Sequence, residues 1–312
     1  MIENFELVAI PTKTSFRGIK VREALLFKGS AGWSEFSPFL EYDAKESSTW
    51  LKAAIEGANT PWPDLKRTSI AVNATLPHVN PSQVPELLSA FPGCKTIKIK
   101  VNDFESSEPL IAAALNFVPD ARIRLDVNGG WSLENAIKYL TQFTARFGNV
   151  FEYIEQPVAS VEDLAALKKQ VGMKIAVDES IRKDLSGDLE QLRNVADVAI
   201  IKWQPSGGFN SAHEIADRIK LPVVISSALD TGVGISHAAA LAASFEELPY
   251  ACGLGTVALL ESDICEPAVL PRSGTIAVRK AEPDFALLEK YRASDERYEW
   301  WRNRLREVGR ML

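Results

Sequence analysis

From about residue 70 onward, short β-like runs alternate with helix-like segments. The runs are SIAVNATL, TIKIKV, RIRLDVN, FEYIEQP, KIAVDES, VAIIKWQP, LPVVISS and YACGLGT. Between them lie stretches such as LENAIKYLTQFTARF (133–147) and EDLAALKKQV (162–171). Ser160, with Asp163 three residues on, has the spacing of a capping box ahead of the second stretch. Strand, helix, strand, repeated, implies parallel strands with right-handed crossovers. Eight such runs predict a closed barrel of the (β/α)8 type. The rival is an open doubly wound sheet, which favours a glycine-rich phosphate loop after an early strand. TGVGIS (231–236) comes late and lacks the third glycine of that fingerprint, so it reads as a helix-entry turn.

The first 70 residues read differently. ENFELVAIPT, RGIKVREALLFKG and GWSEFSPF suggest an antiparallel hairpin sheet, and KESSTWLKAAIEG (45–57) a helix. This predicts a separate α+β domain packed on the barrel. The tail FALLEKYRASDERYEWWRNRLREV (285–308) predicts a helix whose Trp300 and Trp301 dock on the body.

With 312 residues and 46% hydrophobic composition, the chain can bury a large core. A net charge of −6 with no basic stretch argues against nucleic acid as a partner. MIENFELVAIPTK has acids early and no long apolar run, unlike a signal peptide. No stretch approaches the roughly 18 apolar residues of a membrane span. Cys94, Cys252 and Cys265 have no metal-like spacing and read as buried, reduced thiols of a cytoplasmic protein. His78, His213 and His237 are scattered, which gives little support to a histidine-based metal site or triad.

Side chains alternate across a strand, so Lys98 and Lys100 in TIKIKV share one face. In RIRLDVN, Arg124, Asp126 and Asn128 oppose Ile123, Leu125 and Val127. Glu155 opposes Ile154, Asp178 opposes Val177, and Lys202 opposes Ile201. Helices wrapping a barrel cover the aliphatic face, so the charged face turns inward. Lys100, Asp126, Glu155, Asp178 and Lys202 follow one another at intervals of 26, 29, 23 and 24 residues. Each interval is one strand–helix unit. Five successive strands would each present a charge near the C-terminal end, where barrel active sites form. Any one of these residues alone is more simply a surface or salt-bridged charge. The set together is either a site or a structural ion-pair network, and buried ion pairs seldom stabilise net.

Three carboxylates without histidine or cysteine make a hard oxygen site, which suits Mg²⁺ better than Zn²⁺. Cationic surroundings lower a lysine from its ordinary value of about 10.4, towards a general base at neutral pH. The chemistry these groups suit is removal of a proton α to a carboxylate, with the enolate stabilised electrostatically.

The motifs KIK, RLDVNGGW, YIEQP, VDES and IIK, in this order and spacing, resemble the enolase superfamily, and within it the muconate-lactonizing subgroup. GWSEFSPF is similar to the glycine–tryptophan–glycine–glutamate segment of that family's capping domain, with Ser34 in place of the second glycine. The resemblance implies a (β/α)7β barrel over 71–284, with an α+β capping domain over 1–70 completed by 285–312. It implies that Asp126, Glu155 and Asp178 bind Mg²⁺, with Mn²⁺ as a substitute. Lys100 would be the base on one substrate face, Lys98 would lower its pKa and touch the substrate carboxylate, and Lys202 would stand on the opposite face. Arg124, Asn128, Ser226, Ser227 and Gly253 would line the substrate site, and residues 14–22 would close over it.

VVISSALDTGVGISHAAALAA and YACGLGTVALLESD look like the actinobacterial o-succinylbenzoate synthase family. That likeness implies a β-elimination of water from a small carboxylate in menaquinone biosynthesis. N-succinylamino acid racemases and muconate cycloisomerases share the lysines and acids and stay open as alternatives. A dipeptide epimerase is disfavoured because Gly253-Leu254-Gly255 stands where its Asp-x-Asp pair belongs. A catalytically silent barrel that only binds ligand is the non-enzyme alternative.

Overall fold

Lys98 and Lys100 lie on a strand whose other face is aliphatic, and the tertiary structure shows what each face meets. The computed structural model describes residue 2 and residues 4–183 and 187–312. In chain order its strands are β1 (Glu6–Phe16), β2 (Ile19–Gly29), β3 (Gly32–Phe36), β4 (Ser69–Ala71), β5 (Ala74–Leu76) and β6 (Thr96–Lys100). Then follow β7 (Arg122–Asp126), β8 (Phe151–Glu155), β9 (Ile175–Val177), β10 (Val198–Lys202), β11 (Val223–Ser226) and β12 (Thr275–Ala277).

The strands β1, β2 and β3 form an antiparallel sheet in that order. The helix Ala44–Asn59 follows, started by the Asp43 side chain, which accepts from the Glu46 backbone N–H at 2.7 Å. Phe36, Trp50 and Leu51 bury against Trp301, Leu305 and Val308 of the C-terminal helix Asp295–Gly309. Apolar burial thus joins the two ends of the chain. Trp301 also donates from Nε1 to Glu23 Oε2 at 2.6 Å, whereas Trp300 stays partly exposed. The tail is not one helix. It breaks between Phe285–Lys290 and Asp295–Gly309, where Ser294 accepts from the Arg297 N–H and starts a new helix.

Seven strands, β5 to β11 in sequence order, form one parallel sheet. The helices Leu133–Phe147 and Val161–Lys168 occupy the predicted stretches. Ser160 accepts from the Asp163 N–H at 3.0 Å. One face of the sheet carries Ile97, Ile99, Ile123, Leu125 and Ile201, buried in a core with Leu110, Leu140 and Phe143 of the surrounding helices. The other face holds a small separate cluster of Tyr153, Ala176, Val198, Ile200 and Val224. Lys98, Lys100, Asp126, Glu155 and Lys202 belong to this second face by alternation.

The sheet is curled, because both edges reach the same short segment. The Cys252 N–H donates to Ala71 O at 2.7 Å and the Asn73 N–H to Cys252 O at 3.0 Å, beside β5. The Gly253 N–H donates to Ile225 O of β11 at 2.8 Å. The eighth run, YACGLGT, therefore makes isolated bridges rather than a strand. Its glycines explain this, since they contribute no side chain to pack and weaken a strand. At Gly253 a Cβ would collide with Ser226 Oγ.

Candidate active site

Register brings the charged residues together. In the parallel pairing Lys100 lies opposite Asp126, Asp126 opposite Glu155, and Lys202 opposite Ser226. Asp178 follows the last residue of β9 directly. The Gln156 side chain holds that turn, with Oε1 accepting from the N–H groups of Asp178 at 3.2 Å and Ser180 at 3.1 Å.

The lysines pair with the carboxylates. Lys98 Nζ stands 3.2 Å from Asp126 Oδ2 and 3.2 Å from Glu155 Oε1. Lys202 Nζ stands 2.6 Å from Asp178 Oδ2. Lys100 Nζ instead donates to Asn128 Oδ1. Lys98 and the three acids are buried, while Lys100 and Lys202 are half-buried. The charged set thus includes buried ion pairs as well as the residues expected of a site.

Burial and charge shift these groups in different directions. Lys100 lies below the ordinary lysine value: burial lowers it most, and Lys98 and Arg17 lower it further against Asp126 and Glu179. Burial also disfavours charge on Lys98, but Glu155 and Asp126 outweigh it and hold that ammonium above the usual range. Glu155 is raised chiefly by burial. Asp126 is depressed, because Lys98, Lys100 and Lys202 outweigh its burial. The two lysines are thus shifted in opposite directions, Lys98 towards keeping its proton and Lys100 towards losing it.

Among the described residues, no three His, Cys, Asp or Glu side chains are grouped so as to hold a metal ion. The donor chemistry nevertheless fits one. All three carboxylates are hard oxygen donors, and Asp126 Oδ1 is buried with no hydrogen-bond partner among the described residues. The lysine ammonium groups of Lys98 and Lys202 pair with these acids here.

The expected substrate-contacting residues divide into two groups. Asn128 and Ser226 lie with the charged set, and Ser226 shares its strand face with Lys202. The Ser227 hydroxyl lies 3.0 Å from Gly253 O and 2.7 Å from Thr256 Oγ1, so it ties the loop after β11 to the segment closing the sheet. Arg124 is not brought into the set. Its guanidinium donates to Glu152 Oε2 at 2.5 Å, Asn73 Oδ1 at 3.0 Å and Ala251 O at 2.7 Å, and lies over the Tyr153 ring. It shares a face with Asp126 but sits one alternation earlier, so its reach is towards the other end of the strands.

Because Arg124 is fully buried, Arg124→Ala should destabilise the fold by about 3–5 kcal/mol, the usual cost of breaking a buried pair. A denaturant midpoint unchanged from the parent would refute this structural placement.

Other residues at the site carry no strong signal in the sequence. Glu179 Oε1 accepts from Asn128 Nδ2 at 3.1 Å and from Arg182 Nη2 at 2.9 Å. Gln204, two residues beyond Lys202, bonds Ser37 and Asp230. Buried Glu35 of GWSEF accepts from the N–H groups of Thr231 and Gly234 at 3.1 and 3.0 Å, linking the N-terminal sheet to the helix Gly232–Ser244. The cues that point to them are adjacency to Asp178 and Lys202, and the GWSE segment itself.

Comparison with known proteins bears on this arrangement. Residues 7–58 match the family described as enolase N-terminal domain-like, and residues 86–283 the one described as enolase C-terminal domain-like. An o-succinylbenzoate synthase of Mycolicibacterium smegmatis is 43% identical over 98% of this chain and 95% of its own length. One from Mycobacterium ulcerans is 41% identical over 100% of this chain and 95% of its own. The chain belongs to the o-succinylbenzoate synthase family of the enolase superfamily.

Muconate lactonizing enzyme from Pseudomonas fluorescens, solved with muconolactone, has a similar fold. Its TM-score is 0.78, at 18% identity over 93% of this chain and 98% of that one. The L-Ala-D/L-Glu epimerase of Bacillus subtilis gives 0.73 at 20% identity, over 90% and 96%. Likeness at this identity concerns the fold alone. Membership of the o-succinylbenzoate synthase family makes the chain an enzyme, and the charged set on the curled sheet is its candidate centre.

Proposed function

We propose that the chain dehydrates 2-succinyl-6-hydroxy-2,4-cyclohexadiene-1-carboxylate to 2-succinylbenzoate, a step of menaquinone biosynthesis. The observation that carries the reading is the placement of Lys100, Asp126, Glu155, Asp178 and Lys202 on one face of five adjacent strands, at their C-terminal ends. Asp126, Glu155 and Asp178 would hold Mg²⁺, or Mn²⁺ in its place. When bound, the ion supplies electrostatic stabilisation of negative charge building on the substrate carboxylate. Lys100, lowered by burial, takes the α-proton and returns it to the departing hydroxyl on the same face, so that water leaves. Lys98 keeps its charge and serves the substrate carboxylate. Lys202 offers a second ammonium from across the site.

The same reading extends to architecture. The segment 251–253 completes the curled sheet as a (β/α)7β barrel over 71–284. Residues 1–70 and 285–312, which share a core, form the capping domain, with 14–22 as its closing loop. Among the described residues no helix is long and apolar enough to cross a membrane. Three buried free cysteines are in keeping with a cytoplasmic setting.

In an assay with Mg²⁺, the cyclohexadiene substrate should lose its near-UV absorbance. No turnover there, with rapid racemisation of N-succinyl amino acids, would transfer the assignment to a racemase. That second reading draws on the pair Lys100 and Lys202, because racemisation needs a base on each face. Lys202→Ala should lower kcat for dehydration by about 10²–10³-fold, the usual effect of removing one charge-stabilising donor. Activity within a few-fold of the parent would dismiss Lys202 from the reaction.

A further inference from the structure

Both ends of the Asn128 side chain are engaged. Oδ1 accepts from Lys100 Nζ, and Nδ2 donates to Glu179 Oε1 at 3.1 Å. The two ends of an amide have nearly the same shape, so partners decide which way it points. An ionised carboxylate only accepts. Glu179 therefore draws the NH₂ group to itself and leaves the oxygen to face Lys100. Reversed, the amide would set its NH₂ against an ammonium and its oxygen against a carboxylate.

The backbone leaves Asn128 little other freedom. Its φ is 53°, in the left-handed region, and the next N–H, that of Gly129, donates to Gln156 O at 2.6 Å. Glu179 is itself held. Arg182 donates from Nη2 to Glu179 Oε1 at 2.9 Å and from Nη1 to Tyr42 Oη at 3.1 Å. A row of contacts, Lys100–Asn128–Glu179–Arg182–Tyr42, thus runs from β6 to the segment between β3 and the helix Ala44–Asn59.

We propose that Glu179 is a positioning residue for Lys100: it orients the Asn128 amide, and the amide oxygen aims Lys100 Nζ. The inference rests on reading Lys100 as the base. Both contacts are made by Glu179 Oε1, while Oε2 is buried and bonds no group among the described residues.

The test is a double-mutant cycle in the full chain at saturating Mg²⁺. Glu179→Ala should lower kcat by about 10–10²-fold with KM within about threefold, as expected when a reacting group is misplaced. Asn128→Ala should lower kcat at least as far, with a rise in KM allowed because Asn128 also lines the expected substrate site, and the kcat of the double variant should be little worse than that of Asn128→Ala. The half-saturating Mg²⁺ concentration should not move. Additive losses, a kcat within about twofold of the parent for Glu179→Ala, or a loss explained by a changed Mg²⁺ requirement would each overturn the inference.

If Glu179→Ala does not fold, a rescue replaces it. Asn128→Asp sets two acceptors against each other and should lose activity. Adding Glu179→Gln restores a donor between them and should recover about tenfold, as loss and recovery of a charge-assisted hydrogen bond. No recovery overturns the inference. Lys100→Ala, run in parallel, separates the two readings. If it stays active, the base assignment falls and the positioning role with it. If it is inactive while the cycle is additive, only the positioning role falls.

Discussion

Lys100→Ala is expected to lower kcat for dehydration by about 10²–10⁴-fold, the usual contribution of a general acid–base group. The strand Thr96–Lys100 buries Ile97 and Ile99 against helices and presents Lys98 and Lys100 to the opposite face. Lys98 is committed to Asp126 and Glu155, but among the described residues Lys100 bonds only the neutral Asn128 oxygen. Burial and the Lys98 charge then lower Lys100 below the ordinary lysine value. Among the described residues Lys100 forms no ion pair, and Asp126 keeps Lys98 as its partner when Lys100 is truncated, so the thermal midpoint should stay near that of the parent. A variant that keeps most of its activity would take the base away from Lys100. A variant that is inactive because it unfolds would show instead that the side chain is structural.

Stripping divalent metal is expected to abolish dehydration, by about 10³-fold or more, with recovery on adding Mg²⁺. Asp126→Asn should reproduce most of that loss. Three carboxylates on neighbouring strands repel one another, and here two ammonium groups offset that repulsion. A divalent cation would offer the same compensation and a partner for the buried Asp126 oxygen, which has none among the described residues. Calorimetry of the metal-free protein should therefore show Mg²⁺ binding that Asp126→Asn weakens. Full activity in a strong chelator would refute the metal assignment, and the lysine–carboxylate pairs would stand as the working form of the site.

Much of the candidate site's geometry is legible in the sequence. Hydrophobic alternation places Lys98, Lys100, Asp126, Glu155 and Lys202 on a common face, because a period of two leaves no other choice once the isoleucines are buried. Helix starts are readable where a hydroxyl or carboxylate precedes the first turn, as at Ser160. The departures from expectation are also physical. YACGLGT has the look of a strand, but its glycines and the close approach of Ser226 leave only bridges. The tail has the look of one helix, but a second cap at Ser294 outweighs the charge pattern that runs across the break. Arg124 shares a face with Asp126, which suggests a place at the substrate. A side chain with that reach can turn towards either end of a strand, and Glu152, Asn73 and the Ala251 carbonyl decide which.

The division between sequence and tertiary structure follows from what each constrains. Local pattern alone determined the order of strands and helices, the face on which each charge stands, and the residue types available for proton transfer and metal binding. Those depend on backbone period and spacing, which are properties of the chain. Only the folded arrangement decided who pairs with whom: Lys98 with Asp126 and Glu155, Lys202 with Asp178, and Lys100 with Asn128. A lysine Nζ lies at the end of a long flexible stem, so several partners on the same face are within its reach. Strand register, burial and the competing hydrogen bonds of Glu179 and Gln156 select among them.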